Sequence, residues 1–74
     1  MSQLDRDIKR LKTIVHAAGK CLARDRERVG HILPTTSRWF FAIAGAAEAV
    51  ANGEPWGDDV EADFRELLGE SEEG

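Results

Sequence analysis

At 74 residues the chain has room for one domain, and a domain this small buries only ~60% of the surface its unfolded chain exposes. One cysteine and two histidines give no internal disulfide and no zinc set, so helix packing, oligomerisation or a partner has to stabilise the fold. The net charge of −4 is unevenly spread: residues 1–31 hold eight Lys/Arg and four Asp/Glu, a net of +4, and residues 54–74 hold nine Asp/Glu and one Arg, a net of −8.

The start, MSQLDRDIKR, is charged from its fifth residue and has no apolar leader, which predicts an intracellular, cytoplasmic protein. Residues 3–29 read as one long helix, with Ser2 and Asp5 in a capping-box relation. Leu4, Ile8, Leu11, Val15, Ala18 and Leu22 follow at spacings 4, 3, 4, 3, 4, a heptad seam that is expected to be the packing face. Ile14 and Cys21 beside it widen the apolar arc, and a wide arc favours a globular bundle over a bare coiled coil. Gly19 thins the middle of this helix, either for close approach of a neighbour or as a kink. Gly30 is the expected C-cap, and Ile32 and Leu33 are expected under the short connection that makes helices one and two antiparallel.

The stretch at residues 38–51, RWFFAIAGAAEAVA, is the most apolar in the chain. At about 100° per residue, Trp39, Phe40, Ile43, Ala46, Ala47 and Val50 share one face, so a helix is predicted over residues 36–52. Thr35, Thr36 or Ser37 would cap its start, and Asn52-Gly53 with Pro55 would end it. The opposite face holds Arg38, Glu48 and Asn52, but also Phe41 and Gly45, with Ala42 and Ala49 at its flanks. A large aromatic beside small residues is covered by another part of the chain, forms an interface with a second chain, or is simply exposed, as lone apolar residues often are. The run is too short to span a membrane, which takes roughly 20 apolar residues.

Trp56 precedes a third helix, predicted over residues 59–68, and is expected to reach Val60. Asp58 and Glu61 form its capping-box pattern, Val60, Phe64, Leu67 and Leu68 its apolar stripe, and Gly69 its end. Residues 1–69 thus form one all-α domain, a three-helix bundle, and residues 70–74 a disordered acidic tail. Helix one would span ~40 Å and helix two only ~25 Å, so the Leu4–Leu11 end needs cover from helix three or from a second subunit; a homodimer is favoured.

No catalytic, metal or phosphate-binding motif stands out, and no enzyme activity or cofactor is expected. His16 and Cys21 lie about 140° apart on a helix, and with His31 they make no zinc spacing. Cys21 reads as packing, not as a nucleophile. Arg6, Lys9, Arg10, Lys20, Arg24 and Arg28 could track phosphates, but Asp5, Asp7, Asp25 and Glu27 interleave with them and no aromatic residue stands among them to stack on bases. A helix-turn-helix would offer WFFAIAGAAEAV as its recognition helix, which has almost nothing to read base edges.

The leading expectation is therefore a non-enzymatic protein-interaction module, an adaptor, subunit or inhibitor of a larger complex, with Arg38, Phe41, Gly45 and Ala49 as contact residues. An antitoxin or chaperone-like partner belongs to the same class. Besides direct nucleic-acid binding through the basic first helix, the alternative is electrostatic mimicry, in which Asp58, Asp59, Glu61, Asp63, Glu66, Glu70, Glu72 and Glu73 present phosphate-like charge to a basic nucleic-acid-binding surface, with Asp59, Asp63 and Glu66 at its centre. Small acidic inhibitors encoded by phages or mobile elements offer an analogy for the mimicry.

Overall fold

The computed structural model describes residues 2–73, with side chains for 2–69. It is an all-α bundle of three helices, α1 (Gln3–Arg28), α2 (Pro34–Ala51) and α3 (Asp58–Glu73), each packed against both others. α1 starts where expected: the Ser2 hydroxyl accepts the Asp5 N–H at 3.2 Å, satisfying one free amide of the first turn. It runs unbroken through Gly19 and ends at Gly30, whose φ of +86° is the left-handed conformation glycine adopts without strain.

The face of α1 that packs overlaps the heptad seam only at its margin, through Ala18 and Leu11. Its buried residues are Asp7, Ile14, Ala17, Ala18, Cys21 and Asp25, a stripe turned roughly 80° around the helix from the seam. The cause is the third helix. α1 must meet α2 and α3 together, so its inward stripe lies between the two contacts and is built largely from small residues. Leu4, Ile8 and Val15 are left on the outside.

α2 begins at Pro34, one turn-start earlier than residues 36–52 imply, with Pro at its first position, where a missing N–H costs nothing. None of Thr35, Thr36 and Ser37 caps it; the Leu33 cap position has no side-chain bond. Thr36 is instead buried and donates its hydroxyl to Asp25 Oδ2 at 2.5 Å, and the Leu33 N–H donates to the same oxygen at 3.1 Å. This clip sets the antiparallel register of α1 and α2. Ile32 is not tucked under the turn but about half exposed.

The core joins Ile14, Ala17, Ala18 and Cys21 of α1 to Trp39, Ala42 and Ala46 of α2 and Phe64 and Leu67 of α3. On α2, Phe40, Ile43 and Val50 are only partly buried and Ala47 is exposed, because the inward stripe is centred on Trp39, Ala42 and Ala46. On α3 the apolar stripe packs as read, with Phe64 and Leu67 fully buried and Val60 and Leu68 partly so. Trp56 meets Phe64 edge-on at 5.4 Å instead of resting only on Val60. α3 continues through Gly69 to Glu73, beyond the end read at Leu68. The side chains of residues 70–73 and the whole of Gly74 lie outside the described residues, and so does the expectation of a disordered tail.

Candidate protein-binding face

α3 occupies one side of the α1–α2 pair, and charge fastens it there. Arg10 of α1 forms a two-pronged ion pair with Glu61, whose carboxylate also accepts the Trp56 indole N–H at 3.0 Å and Arg65 Nε at 3.2 Å. The Arg10 hydrogen bonds hold the Glu61 carboxyl down at about 2, against partial burial, with Trp56, the Arg10 charge and Arg65 adding to the effect. From α2, Arg38 reaches Asp63 at 3.4 Å and Glu66 at 2.8 Å. Arg10 thus links the basic N-terminal segment to the acidic third helix, and Arg38 links α2 to it.

The other side of the α1–α2 pair is open and apolar. The large apolar residues that the described chain leaves exposed are Leu4, Ile8, Val15, Val29, Ile32 and Phe41, and Phe41 is 78% exposed. Two hollows run along this side. One lies between Ile8, Leu11, Lys12 and Val15 of α1 and Ala47 and Val50 of α2. The other lies between Leu22, Ile32, Phe40, Phe41 and Ala44 near the hairpin end. Leu4, Ile8 and Val15 of α1 and Val29 at its C-cap fall within about 60° of one another around the helix axis, so these four share one side and are not a scatter. Gly19 sits on its edge, and a Cβ there would meet nothing within 4 Å. Close approach of α2 is thus not what Gly19 serves.

The residues singled out from the sequence divide between the two sides. Arg38, Asp63 and Glu66 are brought together as an ion-pair cluster at the α2–α3 seam. Gly45 faces α3, where an added Cβ would lie 3.9 Å from Val60 Cγ2, and Ala49 is half-buried. Asp59 is exposed at the start of α3. Phe41 alone among them stands on the open face; it is not covered by another part of the described chain. The neighbours that sequence reasoning assigned to packing or left aside are Ile8, Val15, Leu22, Ile32, Phe40 and Ala44. For Ile8, Val15 and Leu22 the heptad was the signal, and it ran along the outer side of α1; Ile32, Phe40 and Ala44 lie outside it.

Cys21 is buried in the core, and among the described residues no three His, Cys, Asp or Glu side chains are grouped to hold a metal ion. No helix among the described residues is long and apolar enough to cross a membrane. Of the basic residues of α1, Arg10 is committed to Glu61, and Arg24 lies 3.9 Å from Asp25. No family model, curated protein or solved structure matches the chain.

Proposed function

We propose that this chain is a non-enzymatic protein-interaction module, a small subunit, adaptor or inhibitor that works through its α1–α2 face. The observation that carries the reading is the collection of exposed large apolar side chains on that side, away from α3. Burying a side chain of the Val, Leu, Ile or Phe kind is worth roughly 1.5–3 kcal/mol. Five or six of them held in water on one side form a surface suited to an apolar partner. The acidic side chains of α3 support mimicry less well, since Glu61, Asp63 and Glu66 are engaged by Arg10 and Arg38.

The test is affinity capture from nuclease-treated lysate, followed by a titration of the purified partner. Phe41→Asp and Val15→Asp should each remove binding, while charge reversal of Asp59, Asp63 and Glu66 leaves it in place. The opposite pattern would move the function to the acidic face.

A further inference from the structure

We infer that the α1–α2 face takes a second copy of this chain, in a twofold dimer whose axis runs parallel to the helices and lays each α1 on the partner's α2. This rests on the reading of that face as an interaction surface and names its occupant. Two observations select it.

The first is register. Asp25 is bonded to Thr36, and Ile8, Lys12 and Val15 lie with Ala47 and Val50. The antiparallel pair therefore brings Lys12 level with Glu48 and Gly19 level with Phe41. Lys12 and Gly19 are seven residues apart and share the outer edge of α1; Phe41 and Glu48 are seven apart and share the outer edge of α2. A twofold axis parallel to the helices exchanges the two edges without changing level. It sets Lys12 of one copy against Glu48 of the other, and Phe41 of one copy over Gly19 of the other, and does both twice. The exposed ring of Phe41 thus meets the one point of the opposing edge with no side chain and with open space around it.

The second is charge. The alternative twofold, across the helices, lays α1 on α1 and opposes edges that carry Lys12 and Arg26 on both copies, a like-charge contact.

The experiment is sedimentation equilibrium of the full chain, with circular dichroism of every variant as the folding control. The wild type should show twice the 8.2 kDa monomer mass. Gly19→Leu should weaken dimerisation at least tenfold while keeping full helicity, since leucine favours a helix over glycine and the position is exposed, with nothing within 4 Å of an added Cβ. Lys12→Glu and Glu48→Lys should each weaken self-association, and mixing the two variants should restore a heterodimer, because only the mixture opposes unlike charges at both contacts. A wild type that is monomeric at every concentration overturns the dimer, as does a dimer indifferent to Gly19→Leu or a mixture without rescue. If a monomeric chain still binds another protein through Phe41, the dimer falls and the interaction reading stands. If that binding also ignores Phe41 and Val15, both fall.

Discussion

At the scale of single residues, two carboxylates fix the arrangement of the helices. Asp25 falls where the heptad would place an apolar group, yet it is buried, at 1% exposure. The Thr36 hydroxyl holds it below the usual carboxylate range, against the burial that works the other way, and the Leu33 N–H, Arg24 and His31 add to the lowering. Asp25→Asn removes the charge while keeping the shape, and should lower the Tm clearly, as a buried network left half-satisfied does. Glu61 is held at about 2 by Arg10. Both groups have folded pKa values below their unfolded ones. Their contribution is therefore complete above the unfolded value of about 4 and is lost as pH falls below it, for Glu61 down to about 2. Acid titration followed by circular dichroism should show unfolding through that window. Arg10→Ala should shift the Glu61 limb toward pH 4 and cost about 1–2 kcal/mol at neutral pH, once solvent screening at a partly exposed pair is allowed for.

At the scale of elements, the three helices, their order and their approximate ends are legible in the sequence, because caps, periodicity and glycines are local signals. The inward face of α1 is not. The helix carries two overlapping stripes, and the more apolar one, through Leu4, Ile8, Val15 and Leu22, is the stronger signal. The stripe that packs contains Asp7, Ala17 and Asp25 and becomes the core only when α2 and α3 both press on it. Its contacts include Arg10 on Glu61, 51 residues away, which no local pattern contains. Gly45 reads as part of a groove for a partner; in the bundle it is exposed, with Val60 of α3 beside it. Since a Cβ there makes only ordinary contact with Val60, Gly45→Ala should be tolerated and should stabilise α2 by about 1 kcal/mol through helix propensity. A thermal melt a few degrees above wild type would be the readout, and a lower one would show that Val60 cannot give way.

At the scale of the whole molecule, the chain divides its large apolar residues between a thin core and an open face, and the two should respond differently to substitution. Phe64 is fully buried and touches Trp56 edge-on, whereas Phe41 is largely in water. Phe64→Ala should cost about 3–5 kcal/mol as lost burial and a cavity. A domain of this length has roughly 0.05–0.15 kcal/mol per residue of total stability, so that loss removes much of it and a large unfolded fraction is expected at 37 °C. Phe41→Asp should change the stability of the isolated chain by no more than about 0.5 kcal/mol, because an exposed position has little packing to lose. Urea melts at high dilution, where self-association does not contribute, separate the two effects. A midpoint that collapses for Phe64→Ala and hardly moves for Phe41→Asp places the aromatic cost of this sequence on its outer face, available to a partner. Equal losses would mean that Phe41 packs within the monomer, and the α1–α2 face would then be core.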